Sequence, residues 1–409
     1  MRIAYLISQY PFIRHAYLLR EVRQLRQSGW DVRVMAVRPD DRSATQLTGE
    51  ERDEAARTHY LLTNKAGLIL SLLRTFVTHP AGFLRGFACA LSYGRFHPIR
   101  TLYALLYFVE AVAAGVWLES NKLRHVHTHY ASTVAWILSR IFPIRISMTI
   151  HGSAEFDDIA GFRLRDKVIA SEFVFAISQF GRSQILRAIP HEEWSKVEVC
   201  PLGVDPEAFP VAEFRRNPES FELLSAGGMA TPRAFQFLIE SAAILAAGGR
   251  HFVLRLVGDG PDRPLLERLA AELGVASQVV FEGWKNQDEL RALYARADLF
   301  VFSSFAEGLP VVLMEAMAQG IPCVAPRITG IPELIEDGVE GFLVTVADER
   351  DMAQEIERLM DDPDLRSAMR LAARRKIEEK YDNRRNIRTL AETFERRLGS
   401  RGLSSSRRT

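Results

Sequence analysis

The stretch that decides the reading is Glu307-Gly-Leu-Pro-Val-Val-Leu-Met-Glu315, which follows the apolar run Leu299–Phe302 and the pair Ser303-Ser304. A short apolar run bounded in this way reads as a buried parallel strand, and Pro310 suits the first position of a helix with Gly320 just past its end. Glu307 is then expected in the strand-to-helix loop and Glu315 inside the helix. The amides of Gly308, Leu309 and Val311 would lie at or beside the helix N-terminus, beyond the carboxyl end of a parallel strand, where open α/β sheets bind ligands and phosphate is favoured. Two carboxylates flanking such a terminus are acceptor-only groups that could each grip vicinal hydroxyls, on a sugar and on a ribose. Taken alone, the Glu-x7-Glu spacing reads more simply as two solvated helix-end residues.

Strand-like and helical runs alternate on both sides of this stretch, which predicts α/β architecture with helices on both faces of parallel sheets. Strands are expected at Ile3–Ile7, Val32–Ala36, His125–His129, Ile146–Ile150, Phe173–Ile177 and Val197–Cys200, and again at Phe221–Ala226, Phe252–Val257, Val279–Glu282, Leu299–Phe302 and Cys323–Ala325. A helix over Ala16–Gln27 has its stop signal at Gly29. Two doubly wound Rossmann-like domains follow, over residues 1–205 and 219–380, with the Pro-rich stretch 206–218 as linker. A final helix is expected over 381–398, and the small, polar tail 399–409 is expected to be disordered.

The 409 residues, 47% hydrophobic and 25% charged, suffice for two cores and exclude extended disorder. Fifty-two Lys and Arg against 51 Asp and Glu leave a net charge of +1, so the whole-chain charge gives no reason to expect nucleic acid as a partner. Cys89, Cys200 and Cys323 lie far apart and suggest neither a disulfide framework nor a zinc site, and a cytoplasmic location is expected. The first apolar run is too short for a signal-peptide core. The run Thr101–Leu118 contains Glu110, falls short of a comfortable bilayer span and reads as a buried or interfacial helix. From Ala55 to Val109 there is no Asp or Glu, whereas Arg57, Lys65, Arg74, Arg85, Arg95 and Arg100 are present. With Phe76, Phe83, Phe87, Tyr93 and Phe96, that segment fits either ordinary core packing or peripheral contact with an anionic membrane surface at the inner face of the plasma membrane.

The run EGLPVVLMEAMAQGIPCVAPRITGIPELIEDGVEGFLV from Glu307, with PLGVD at Pro201–Asp205, LVGDGPDRPLLERLAAELG from Leu256 and ELRALYARADLFVFSS from Glu289, resembles the retaining glycosyltransferases of family 4, which have the GT-B fold. The opening MRIAYLISQYPFIRHAYLLREVRQL, HVHTHYAS at His125–Ser132 and TIHGSAEFD from Thr149 are similar to members that assemble bacterial exopolysaccharides. The resemblance implies two Rossmann-like domains facing a cleft, a nucleotide-diphosphate-sugar donor on the C-terminal domain, a saccharide or lipid-linked saccharide acceptor on the N-terminal one, the final helix 381–398 crossing back to the N-terminal domain, and transfer with retention. It places Glu307 near the reacting carbon and Glu315 on the ribose, and puts Gly227, Gly228, Arg233, Gly258, Gly308, Leu309 and Val311 around the donor. Where the family usually carries Gly-Arg and then Lys-Gly, this chain has Gly228 for the Arg, Arg233 for the Lys and Ala234 for the Gly, so one of two phosphate-binding cations is missing. Arg can replace Lys there, with different geometry.

His125, His127 and His129 alternate along one strand and share a face, an arrangement open to metal binding or to core packing. By the resemblance, His127 and His129 form the family's His-x-His pair, with His129 facing the cleft as an acceptor or phosphate contact; His151 is a further cleft candidate. No D-x-D motif adjoins a strand end, since Asp362-Pro-Asp364 falls in a helix connection, and neither a metal nor a cofactor is expected. Arg233 and the helix terminus would stabilise the leaving diphosphate instead. Two other readings stay open: a weakly active sugar-nucleotide-binding partner subunit, suggested by Gly228, and an epimerase or hydrolase of the same fold.

Overall fold

The computed structural model describes residues 1–12, 15–43, 46–94, 97–152 and 154–399, so Arg95, Phe96 and the tail from Ser400 lie outside the described residues. The chain divides into two units. The first comprises Met1–Ile177, Gly181–Cys200 and the chain from Ile387; the second comprises Ser178–Phe180 and Pro201–Asn386.

The first unit is built on strands β1 (Arg2–Gln9), β2 (Asp31–Arg38), β3 (His59–Tyr60), β4 (His125–His129), β5 (Arg145–Ile150), β6 (Val174–Ala176) and β7 (Val197–Val199). They form one parallel sheet in the order β3-β2-β1-β4-β5-β6-β7. Alternation along β1 sends Ile3, Tyr5 and Ile7 to a face covered by Leu18, Val22 and Leu25 and by Ile387, Leu390 and Phe394 of the last helix. Ala4 and Leu6 point to the other face, against the helices Pro98–Ser120 and Ser132–Ile141. Burial on both faces explains why these strands read as near-continuous apolar runs.

The second unit holds β8 (Phe221–Ala226), β9 (Phe252–Val257), β10 (Val279–Gly283), β11 (Leu299–Val301), β12 (Cys323–Pro326) and β13 (Gly341–Val344), all parallel, in the order β10-β9-β8-β11-β12-β13. The strands expected from the sequence lie within two residues of those observed at every end. β3 and β13 were not anticipated. Each is the edge strand of its sheet, and β3 has only two residues.

The stretch 206–218, read as a linker, lies in the second unit and is fastened there. Arg366, Arg370 and Arg374, four residues apart on one face of the helix Pro363–Lys380, donate to its carbonyls. Arg366 reaches Arg216 O at 2.5 Å, Arg370 reaches Ala212 O, and Arg374 reaches Phe209 O at 2.6 Å and Pro206 O at 3.0 Å. A segment without sheet partners needs such donors to satisfy its carbonyls.

β4 brings His125 and His127 into the core. His125 Nε2 and His127 Nδ1 each lie 2.8 Å from Ser147 Oγ, and His127 Nε2 lies 2.9 Å from Thr149 Oγ1 of the adjacent β5. The rings pack on Phe173 and on Phe394. His127 is fully buried with both nitrogens engaged inside the sheet, which differs from its reading as a cleft residue. Burial, with Arg145 adding to it, pushes the His125 pKa down to about 3, and burial followed by the neighbouring His129 holds His127 well below its ordinary value.

Both imidazoles therefore stay neutral in the folded chain at pH values where the unfolded chain takes up protons. Stability from this source is complete above about pH 6.5 and falls as the pH drops toward the folded pKa values, by up to about 1.4 kcal/mol per pH unit for each histidine. Urea midpoints at about pH 7.5 and about pH 5.5 are expected to show the lower value at the lower pH, with a smaller difference in His125→Gln. Equal midpoints in the wild type would contradict this account.

Candidate functional site

In the second sheet the chain builds outward from β8 through β9 to β10, then returns to pair β11 on the opposite side of β8. The order of strands reverses between β8 and β11, and an open α/β sheet binds ligands beyond the carboxyl ends of strands at such a point. The loops leaving β8 and β11 are tied together there. Ser303 Oγ donates to Arg233 O at 2.9 Å, the Phe305 amide donates to Pro232 O at 2.9 Å, and Ser304 Oγ lies 3.0 Å from both Pro232 O and Glu307 Oε1. Arg233 and Glu307 meet as an ion pair, the arginine side chain 37% exposed and the glutamate 10%.

The helix after Glu307 runs Val311–Ala318. Pro310 is its N-cap, with φ −73° and ψ 116°, and not its first helical residue as expected; its extended ψ keeps it outside the first turn while its carbonyl accepts from Met314 N. The first-turn amides from Val311 onward lack intrahelical acceptors, and Gly308 and Leu309 precede them in the loop. Glu315 lies inside the helix and is buried. Gln287 Nε2 donates to its Oε1 at 2.9 Å, and Tyr294 Oη, 3.3 Å from its Oε2, lies 3.1 Å from Val312 O. Glu315 thus has a packing role, fixing the helix Gln287–Tyr294, that its spacing from Glu307 did not reveal.

The glycines differ in what they permit. Gly258, at φ +130°, backs onto the loop after β8, where a Cβ would fall 1.9 Å from Gly227 O. Gly228 is not left-handed, and a Cβ on it would meet nothing within 4 Å, so no local geometry demands glycine there. Ala234 adopts φ +53° directly before the helix Phe235–Ala247, a conformation that costs a non-glycine residue about 1 kcal/mol and that glycine would adopt freely.

The first sheet reverses between β1 and β4, and His129 closes β4 there. His129 Nδ1 lies 3.0 Å from His151 Nε2, and its Nε2 lies 3.5 Å from Glu21 Oε1, to which Tyr5 Oη donates at 2.7 Å. Tyr130, at φ +61°, stacks on His151 with ring centroids 4.3 Å apart, and its hydroxyl bonds that of Tyr17. Burial, then the proximity of His129, holds the His151 pKa well below its ordinary value, so its ring is neutral near pH 7. His129 and His151 are therefore brought together, in company the sequence did not single out. Tyr17 and Glu21 share a helix face at i, i+4, which is a signal of sorts; nothing local marks Tyr130 for its left-handed backbone.

Residues 220–362 match the family described as glycosyl transferases group 1. The chain is a glycosyltransferase with the GT-B fold. Over 97% of its length this glycosyltransferase is 27% identical to the amylovoran biosynthesis glycosyltransferase AmsK of Erwinia amylovora, covering all of that protein. It is 26% identical to the putative colanic acid biosynthesis glycosyltransferase WcaL of Escherichia coli K12, over 96% of this chain and 98% of that one. Among solved structures it resembles Anabaena HepE in complex with UDP and glucose, with TM-score 0.72, 18% identity and coverage of 97% and 99%. Sucrose-phosphate synthase of Thermosynechococcus elongatus is similar with TM-score 0.74, 17% identity and coverage of 98% and 100%.

The buried setting of Glu315 in this glycosyltransferase makes a prediction about stability. Glu315→Ala strips acceptors from Gln287 and Tyr294 and is expected to destabilise the fold by about 1–3 kcal/mol, with Glu315→Gln losing less. Thermal unfolding measures this, and an unchanged midpoint in Glu315→Ala would show that the carboxylate does not hold the neighbouring helix.

Proposed function

We propose that this glycosyltransferase moves a sugar from a nucleotide-diphosphate-sugar to a saccharide or lipid-linked saccharide acceptor, with retention at the anomeric carbon as in family 4, during assembly of a cell-surface polysaccharide in the cytoplasm. The observation that carries the proposal is the Arg233–Glu307 pair at the β8/β11 reversal, beside the N-terminus of Val311–Ala318. Support for the donor class comes from HepE, whose complexes hold UDP, UDP-glucose, or UDP with glucose, and support for the polymer comes from the names of AmsK and WcaL.

The chemistry follows from the groups present. Breaking the bond from the anomeric carbon to the diphosphate puts negative charge on the leaving oxygens. A guanidinium carries five N–H donors, so Arg233 can keep Glu307 in place and still offer N–H groups to phosphate. The amides at Gly308, Leu309 and Val311 offer further donors, with the helix terminus favouring the anion. Together these do without a metal ion in the proposed reaction. Glu307 accepts from the hydroxyls of the donor sugar, Glu315 from those of the ribose, and Gly227 and Gly258 let the backbone approach the nucleotide. On the first unit, His129 and His151 with Tyr17, Tyr130 and Glu21 form the acceptor end, where a neutral imidazole can accept or donate a hydrogen bond.

Glu307→Gln is expected to cut transfer, read as acceptor-dependent release of nucleoside diphosphate, by at least about a hundredfold, the loss typical of removing one preorganised electrostatic partner. Wild-type turnover in a folded variant would reject the assignment.

A second reading, a weakly active sugar-nucleotide-binding subunit, rests on Gly228. Because a side chain there has open space, Gly228→Arg is expected to leave the melting temperature unchanged and to tighten nucleotide-sugar binding about tenfold or more, the contribution of one charge-assisted bond to phosphate. Calorimetric titration with a panel of nucleoside diphosphates and their sugars measures it. A folded variant with no gain in affinity or turnover would leave Arg233 as a sufficient phosphate partner and remove the reason for the second reading.

A further inference from the structure

Three consecutive helices of the first unit carry their apolar residues on the wrong side for a protein surrounded by water. In Lys65–Thr78 the buried residue is Thr75, whereas Leu70, Leu73 and Val77 face outward, Leu70 and Val77 being 67% and 76% exposed. The next helix, Pro80–Gly94, buries Gly82, Gly86, Ala90 and Gly94, one small residue per turn, and exposes Leu84. The third, Pro98–Ser120, buries its face from Ala104 onward but exposes Ile99 and Leu102 in its first turns. The three are neighbours: Phe76 packs on Phe83 and Phe83 on Phe108, with ring centroids 5.4 and 5.0 Å apart. The small residues permit close contact with the core, since a Cβ at Gly82 would fall 2.1 Å from Ile141 O and one at Gly86 would fall 2.2 Å from the Ile141 side chain.

The charges on the same helices say what covers them. No carboxylate occurs between Ala55 and Val109, and the exposed Lys65, Arg74 and Arg85 enter none of the ion pairs found among the described residues, while Arg100 sits 3.7 Å from Asp158. A second copy docking symmetrically through this face would set cation against cation. An anionic lipid surface complements both the charge and the apolarity. Spanning is a poorer fit. Helices of 14 and 15 residues reach only about 21–23 Å against a hydrocarbon core of about 30 Å. The two are also bent by 119° to one another, and Pro98–Ser120, although long and apolar enough to cross, has half of its apolar window buried in the protein.

We propose that the outward faces of Lys65–Thr78, Pro80–Gly94 and the first turns of Pro98–Ser120 seat the protein on an anionic phospholipid bilayer, with their leucines among the headgroups and acyl boundary and without crossing it. The test is sedimentation of the full chain with phosphatidylglycerol–phosphatidylcholine vesicles and with phosphatidylcholine alone, at low and high salt, with neither donor nor acceptor present, so that its result is separate from that of the transfer assay. The protein is expected in the anionic pellet at low salt, and largely in the supernatant with phosphatidylcholine or at high salt. Arg74→Gln and Arg85→Gln should each lower the partition coefficient about fivefold. Leu70→Ser/Leu73→Ser/Val77→Ser should abolish binding without lowering the melting temperature, because these side chains are exposed in the folded chain. Recovery of the wild type in every supernatant would overturn the proposal, as would unimpaired binding by the triple serine variant. So would a wild-type dimer, seen by light scattering, that the triple serine variant converts to monomer without any vesicle binding; the face would then be a protein interface.

Discussion

The parallel pairing of β8 with β11 is the constraint on which the meeting of Arg233 and Glu307 depends. Two loops more than 70 residues apart in sequence leave neighbouring strands in the same direction, and the hydroxyls of Ser303 and Ser304 fasten one to the carbonyls of the other. Once those bonds form, an arginine from the first loop and a glutamate from the second have little choice but to meet. The left-handed backbone at Ala234, directly after Arg233, is accepted where the chain must turn into its helix. Strain of this kind persists only where surrounding bonds over-determine the conformation, as the serine ties do here.

The first unit solves the matching problem with buried imidazoles. β4 runs through the middle of its sheet, where apolar residues would pack most simply, yet it carries three histidines on one face. For His125 and His127, β5 supplies a serine and a threonine at the height of three of the four ring nitrogens, so much of the desolvation is met by hydrogen bonds. Only the last of the three reaches the strand's carboxyl end, where it meets His151 and the carboxylate of Glu21. Position along the strand thus separates His125 and His127, bonded to the serine and threonine of β5, from His129, which meets His151 and Glu21.

That distinction marks what could be read from the sequence. Alternation told that His125, His127 and His129 share a face, but periodicity carries no information about what each ring meets, and it was the resemblance that set His129 apart from His127. The central strands were legible because burial on both faces makes them apolar runs with clear ends, whereas the two-residue β3 offers too few positions to form a pattern, and β13, an edge strand whose run GFLV is apolar, was passed over. The apolar strand before Glu307 placed that residue in its loop, but a role for it and for Arg233 came only from the resemblance, since the loop of Arg233 by itself reads as a plain strand-to-helix turn. Glu21, Tyr17 and Tyr130 were not: the helix Ala16–Gln27 carries the first two and the chain after β4 the third, and only the sheet order brings them to His129 and His151. Glu315 was half legible, its place in the helix read correctly and its partners Gln287 and Tyr294 unseen.

The inward glycines of Pro80–Gly94 and Pro98–Ser120 have a consequence for how this protein can change over generations. Inward positions such as Gly82, Gly86 and Gly115 tolerate nothing larger than hydrogen, because a methyl group would overlap Ile141 or Phe142. Outward positions touch little else in the chain and are free to vary in size and shape. The placement of these helices is consequently fixed by one set of residues and the character of their outer surface by another. Descendants of this chain could therefore retune that surface one residue at a time, with the fold beneath it left untouched.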